Sequence, residues 1–252
     1  MNGYQGYRYL TRFGFATAPN SSHFFIGLVN TTGAFNSVHP PSSLINGVVI
    51  GWANGALGSN LSIWRNDGSG NAVQLDLGGY AKGYALDRAA AILRAKGVGN
   101  ALINIGGNVM ALGAKGSQPW RVGIQHPRAT APLATLELHD GEAIGTSGDY
   151  QRFFELEGRR YCHLLDPRNG HPAEGVQAVT VLITPREGAG ALSDAASKPL
   201  FIAGAGQWRG LAQRLGVAHA LRIDGRGVMH VTAAFRERLT MLASDVKLVV
   251  EP

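Results

Sequence analysis

Apolar positions recur at helical spacing in a few stretches of this chain and at strand spacing in many more. Leu86, Ala89, Ala90 and Leu93 fall at i, i+3, i+4 and i+7, with Ala85 and Ile92 beside them. That spacing predicts a helix over 80–96, closed by Gly97. Residues 101–105 read as a strand running into Gly106-Gly107, and further strands are predicted at 120–125, 134–138 and 177–184, the last strongly β-branched. A helix is predicted over 192–203, but it contains Pro199, which removes a backbone donor and crowds the turn before it. On that ground the regular helix is expected to begin near Ser197, with Asp194 in a loop. Trp208, Leu211 and Leu215 mark a short helix closed by Gly216. Residues 221–223 and 228–231 flank Asp224-Gly225-Arg226-Gly227 as a hairpin, and 246–250 reads as a last strand. Upstream, 61–65 and 72–75 flank Asn66-Asp67-Gly68-Ser69-Gly70, a strong turn signal, and 48–50 reads as a short strand. The rest of residues 1–72 has little periodicity.

Hairpins outnumber strand–helix–strand units, which predicts an α+β fold over a doubly wound parallel sheet. No repeat or linker interrupts the chain, so one domain over 1–252 is expected.

Composition narrows the class. Hydrophobic residues make up 45% and charged residues 16% of 252, which excludes a disordered chain. Glycine is abundant but has no three-residue period, excluding collagen. No apolar run approaches the roughly 18–20 residues of a membrane-spanning helix. A single cysteine, Cys162, allows neither an internal disulfide nor a thiolate cluster. The formal charge is +6, but the basic residues are scattered, without the stripe or module of a nucleic-acid binder. A modest positive field fits an anionic small substrate better. Residues 1–25 carry no charged-then-apolar leader, so the expectation is a cytoplasmic protein, or a processed or truncated chain.

Several motifs fail on inspection. Gly97-Val98-Gly99 precedes a strand, whereas a dinucleotide fingerprint follows one. Gly145-Thr146-Ser147-Gly148-Asp149 lacks the final glycine of a nucleophile elbow. The eight histidines are isolated, without zinc-site spacing.

Four segments remain. In Leu75-Asp76-Leu77-Gly78-Gly79-Tyr80-Ala81-Lys82-Gly83-Tyr84-Ala85-Leu86-Asp87 a strand meets two glycines and a helix start. It reads either as a plain strand–helix corner or as an anion site, with Lys82 as a point charge for phosphate. Ile103-Asn104-Ile105-Gly106-Gly107-Asn108-Val109 is either a tight turn or a place where a ring or phosphate approaches backbone. Thr146-Ser147-Gly148-Asp149-Tyr150 is followed by His163-Leu164-Leu165-Asp166-Pro167-Arg168-Asn169-Gly170, where much is turn chemistry and His163 is either a core histidine or a base. In Ser193-Asp194-Ala195-Ala196-Ser197-Lys198-Pro199, residues 194, 197 and 198 share a helical face. They read either as a cap with a local ion pair or as a site for a hard cation or polyphosphate.

Together these segments resemble the FAD:protein FMN transferase (ApbE) family. Asp76 to Asp87 matches its Asp-Leu-Gly-Gly-x-Ala-Lys-Gly-Tyr-Ala-x-Asp block, Asn104 to Asn108 its Asn-x-Gly-Gly-Asp/Asn strand end, Thr146 to Tyr150 its Thr-Ser-Gly-Asp-Tyr, and His163 to Pro172 its His-x-Leu-Asp-Pro-x-x-Gly-x-Pro. The order agrees, Gly33-Ala34-Phe35-Asn36 resembles an upstream segment, and the match is good over 73–205. The resemblance implies an α+β fold of two similar T-fold-like halves with antiparallel sheets and flanking helices. It implies transfer of FMN from FAD to a Thr or Ser of a target flavoprotein, with release of AMP and with Mg²⁺ as cofactor. An FAD-binding carrier or an FAD pyrophosphatase are the alternatives. It implies FAD contacts from Ala34, Phe35, Asn36, Asp76, Gly79, Tyr80, Lys82, Gly106, Gly107, Thr146, Ser147, Gly148, His163 and Leu164. The metal positions would be Gly79, Asp194, Ser197 and Lys198, and the catalytic residues His163 and Asp194. Members of the family are commonly tethered to the outer face of the bacterial inner membrane.

The sequence departs from the family at three places. Lys198 stands where the last metal ligand is normally Thr, and a charged ammonium has no lone pair for a metal. Lys198 is expected either to replace part of the cation by pairing with Asp194, or to point away. Pro199 follows it, and Asn36 replaces an Asp.

Overall fold

The computed structural model describes residues 24–28, 47–52, 62–66, 72–244 and 246–251. The chain divides into two compact units, residues 1–77 and 78–252. In the first, strands β1 (Phe24–Leu28), β2 (Gly47–Trp52), β3 (Ser62–Asn66) and β4 (Ala72–Asp76) form an antiparallel sheet in sequence order. Asn66 stands opposite Ala72, as the hairpin reading requires.

The second unit opens with helix α1 (Ala81–Ala95), within a residue of its expected bounds. Strands β5 (Ala101–Ile105) and β6 (Asn108–Leu112) follow as a hairpin. Gly106 and Gly107 both have positive φ, 57° and 89°, the pair of left-handed residues that a two-residue turn needs. Next come β7 (Trp120–Gln125), β8 (Pro132–Leu138), β9 (Ala143–Gly148), β10 (Phe153–Leu156), β11 (Arg159–Cys162) and β12 (Val176–Ile183). Helices α2 (Ala189–Ile202) and α3 (Trp208–Arg214) precede β13 (His219–Asp224) and β14 (Met229–Thr232). Helix α4 (Ala233–Arg238), β15 (Leu239–Met241) and β16 (Leu248–Glu251) complete the chain.

Seven strands form one sheet in the order β16-β14-β13-β12-β9-β6-β5, antiparallel except where β14 meets β16. Strand β12 lies near its middle and all eight of its residues are buried, so it reads as a largely apolar run broken only by Gln177 and Thr180. The two-residue period splits them between two cores. Val179, Val181 and Ile183 pack with Leu86, Leu200, Phe201 and Trp208 of the helices. Ala178 and Leu182 pack with Leu133, Leu136 and Leu138 of β8 and with Phe235. Helices cover one face of the sheet, and the small sheet β15-β8-β7 with α4 covers the other. Mixed α+β architecture with mainly antiparallel sheet is therefore as expected. No helix among the described residues is long and apolar enough to cross a membrane.

Helix α2 corrects one expectation. It begins at Ala189, eight residues before Ser197, so Asp194 is helical despite Pro199. Two interactions offset the hydrogen bond that Pro199 forgoes. The Asp87 carboxylate of α1 accepts the N–H groups of Gly190 and Ala191, both at 2.8 Å, and so caps α2 from outside. Leu200 and Phe201, fully buried, anchor the turn around the proline. Six strands were also not foreseen: β1, β6, β9, the hairpin β10–β11 and β15. Strand β9 (Ala-Ile-Gly-Thr-Ser-Gly) has the composition of a loop. It is a strand because its neighbours use each small residue, as described next.

Candidate functional site

The centre of the site is Asp194, whose side chain is wholly buried. Its Oδ2 accepts the N–H of Gly83 at 3.0 Å, an orphan donor in the first turn of α1. Helices α1 and α2 thus cap each other: Asp87 serves α2, and Asp194 serves α1. The Lys82 Nζ lies 3.3 Å from Asp194 Oδ1 and the same distance from the Gly78 carbonyl. The Lys198 Nζ donates to Asp194 Oδ1 as well, and to the Asp194 carbonyl at 2.8 Å. Two ammoniums therefore share one carboxylate oxygen. Lys82 keeps a third of its side chain exposed and Lys198 less than a fifth.

Close packing puts these groups together. Gly83 of α1 meets Gly190 of α2 so closely that a methyl group on Gly83 would overlap the Gly190 carbonyl and lie 2.7 Å from Asp194 Cβ. Gly145 on β9 does the same from below: a methyl there would lie 2.7 Å from the Ser193 carbonyl carbon. A methyl on Gly79 would lie at ordinary van der Waals distance from the Lys198 stem, and one on Gly106 would lie closer still to the Lys82 stem. Asn108, fully buried, stands near Asp194.

The electrostatics follow. Burial acts to raise the Asp194 carboxyl, but Lys198, the Gly83 N–H and Asn108 outweigh it and hold the group below the ordinary carboxylate range. Burial pushes the Lys198 amine below its usual value; Asp194 pulls the other way, and the like charge of Lys82 adds to the depression.

The other expected residues are distributed as follows. Ser197 is buried and donates to the Asp194 carbonyl at 2.7 Å, while its oxygen lies 2.7 Å from Ser147 Oγ on β9. Thr146 pairs with Thr180 across the strands at 2.9 Å. Gly148 lies against the Tyr150 ring, where a methyl would be 2.7 Å from Cδ1. Asp149 holds Arg128 in a two-pronged ion pair at 2.7 and 2.6 Å. Tyr80 and Tyr84 stack at the exposed start of α1, with ring centroids 5.7 Å apart. Leu164 lies in the core beside the helices. His163 is exposed and its Nδ1 lies 3.2 Å from the Arg152 carbonyl. A carbonyl can only accept, so Nδ1 carries the proton, and in the neutral imidazole Nε2 keeps its lone pair. Among the described residues, no hydrogen bond or ion pair joins His163 to Asp194 or to either lysine. Ala34, Phe35 and Asn36 lie outside the described residues, and Asp76 is described only as the last residue of β4.

The turn after His163 is as its composition requires. Asp166 accepts Arg168 through side chain and backbone, the first cause of a pKa lowered from 3.8 to about 2. A carboxylate whose folded value is depressed stabilises the fold above its unfolded value and loses that contribution as pH falls through the folded one. The expected result is a carboxyl ¹³C titration of Asp166 near 2, returning toward 3.8 in Arg168→Gln. An unmoved value in the variant would show that Arg168 is not the cause.

Sequence reasoning missed Asp87 as a helix cap, Gly145 as the seat of α2, and Asn108 as a polar group beside Asp194. The Asp87 signal was present as the last residue of the first motif. Gly145 was visible only as half of a rejected elbow.

The ApbE family model matches residues 28–221. The FAD:protein FMN transferase of Rhodobacter capsulatus is 46% identical over 171 residues, 68% of this chain and 32% of the relative. That of Treponema pallidum is 33% identical, over 71% and 51%. The crystal structure of the ApbE protein of Thermotoga maritima superposes with a TM-score of 0.61 at 34% identity, over 70% of this chain and 55% of the other. The apo flavinyl transferase ApbE of Pseudomonas stutzeri gives 0.55 at 38% identity, over 66% and 51%. The chain spans about a third to a half of the length of these curated relatives.

Proposed function

The chain belongs to the ApbE family, and from that premise we propose that it transfers FMN from FAD to a Thr or Ser hydroxyl of a protein acceptor. In that reaction the acceptor oxygen attacks the phosphorus on the flavin side of the pyrophosphate. The bond to the AMP phosphate breaks, and AMP leaves with the electron pair. The hydroxyl proton passes to His163 Nε2, whose lone pair is kept free by the Nδ1–H bond to Arg152. The observation that carries the reading is the pair of ammoniums, Lys82 and Lys198, held beside the glycine corners at 78–79 and 106–107. Negative charge that grows on phosphoryl oxygens as the pyrophosphate breaks is stabilised by preset positive groups. The stacked Tyr80 and Tyr84 offer aromatic faces to the isoalloxazine ring.

Mg²⁺ is the further part of the family expectation, and the described residues do not fit it. A hard cation needs several oxygen donors. Here Asp194 Oδ1 is taken by Lys198, and the Ser197 hydroxyl is engaged with Ser147 and the Asp194 carbonyl. No group of three or more His, Cys, Asp or Glu side chains placed to hold a metal ion exists among the described residues.

The test is incubation of the chain with FAD and a Thr-bearing acceptor, reading acceptor mass and AMP. An adduct of FMN mass with equimolar AMP is expected, and His163→Ala should slow it by about 10²-fold or more. Free FMN with AMP and no adduct would make the protein a pyrophosphatase. Neither product would overturn the reading.

A further inference from the structure

We propose that the Lys198 ammonium is the resident cation of this site, filling the place between Asp194 and the Gly79 corner that a divalent metal would need, so that the chain binds its pyrophosphate ligand without metal. The part concerning the ligand rests on the flavin-transfer reading above; the part concerning the metal does not.

Three observations carry it. First, Lys198 is directed inward and not out to water. Its stem runs along Gly79, and its Nζ ends on both the side chain and the carbonyl of Asp194. An i,i+4 lysine on a surface helix would leave its head group solvated; this one is less than a fifth exposed. Second, the carboxylate oxygen it takes is also approached by Lys82. A divalent ion seated there would face two ammoniums at contact distance, with like-charge repulsion from both. Third, the two lysines against one carboxylate leave one net positive charge. That surplus is fixed in the chain and is available to an anion in the absence of any metal.

The chemical consequence is a site for a phosphoanhydride met by ammonium groups. Lysine binds phosphate as a point charge and needs no set geometry, so Lys82 and Lys198 can turn from Asp194 toward incoming oxygens. Asp194 then serves as the counter-charge that holds both lysines in place when no ligand is bound.

Two probes test this on the 252-residue chain. The first is Mn²⁺ alone, followed by electron paramagnetic resonance. The expected result is no stoichiometric site in the unmodified protein. Lys198→Thr, which supplies a hydroxyl and removes the nearer of the two ammoniums at Asp194 Oδ1, should gain one, and Asp194→Asn added to it should remove that site. A stoichiometric Mn²⁺ site in the unmodified protein that Asp194→Asn abolishes would overturn the proposal. The second probe is FAD, followed by flavin fluorescence with Mg²⁺ or with EDTA. Equal affinity in the two conditions is expected. Lys198→Met keeps the bulk of the side chain without its charge, and should weaken FAD in EDTA by about tenfold or more. An affinity that falls by about tenfold in EDTA for the unmodified protein, or is unchanged in Lys198→Met, would overturn the proposal. If FAD binds under no condition, the flavin reading fails while the Mn²⁺ result still decides the role of Lys198. If a variant does not fold, the two measurements on the unmodified chain suffice.

Discussion

Asp194→Ala should abolish flavin transfer and lower stability by about 3 kcal/mol, the low end of the cost of stripping one partner from a buried charge pair. The residue holds three things at once. It accepts the Gly83 N–H and so caps α1, it pairs Lys198, and it faces Lys82. Alanine leaves an orphan helix donor and brings two like charges together without a counter-charge. Two features keep the cost from rising further. Lys82 is partly exposed and can turn to water, and burial already depresses Lys198, which can shed its proton. Acid sensitivity gives an independent check. The Asp194 carboxyl lies below its ordinary value, so its contribution is complete above 3.8 and is lost as pH falls through the folded value. Urea unfolding at neutral and acid pH should therefore show a shallower acid loss in Asp194→Ala than in the parent. Parallel pH curves for the two proteins would show that the ion pairs contribute nothing to folding.

Gly83→Ala should cost about 3 kcal/mol, although alanine is the better helix former by roughly 1 kcal/mol. The added methyl meets backbone, the Gly190 carbonyl, and the Cβ of Asp194, none of which can rotate away. Helices α1 and α2 would have to separate. The damage then spreads to three bonds that bridge them: Gly83 to Asp194, and Gly190 and Ala191 to Asp87. Gly190→Ala makes the reciprocal clash, since its methyl would lie 2.8 Å from Asp87 Oδ1 and 2.5 Å from the Gly83 carbonyl. Because both substitutions open one crossing, the double variant should lose much less than the sum of the two. Thermal or urea midpoints measure this. An unchanged midpoint in Gly83→Ala would mean that the crossing is looser than described.

Long periodic stretches were legible from the chain alone. Helix α1 and strand β12 came out within a residue or two, because one buried stripe and one doubly buried run each leave a strong local pattern. Strand β9 was not legible. Alternate residues Gly145 and Ser147 are small so that α2 can lie against them, and Thr146 is polar because Thr180 faces it. Its composition answers to neighbours 34 and 50 residues away, and not to strand propensity. The start of α2 was misplaced for a similar reason. Pro199 is a local penalty, whereas the Asp87 cap and the glycine crossing are tertiary gains that outweigh it.

The amino-acid sequence by itself determined the α+β class and the chemistry-bearing segments, and their order pointed to the family. Those properties are written in local periodicity and in glycine, lysine and carboxylate spacing, which the chain carries wherever it folds. Only the tertiary structure decided which of those side chains meet. Lys82 and Asp194 are 112 residues apart, and whether Lys198 pairs with Asp194 or turns to solvent was open in the sequence. The glycine contacts at 83, 190 and 145 settled it by bringing two helices and a strand to backbone distance, where a buried carboxylate must take the nearest positive charges.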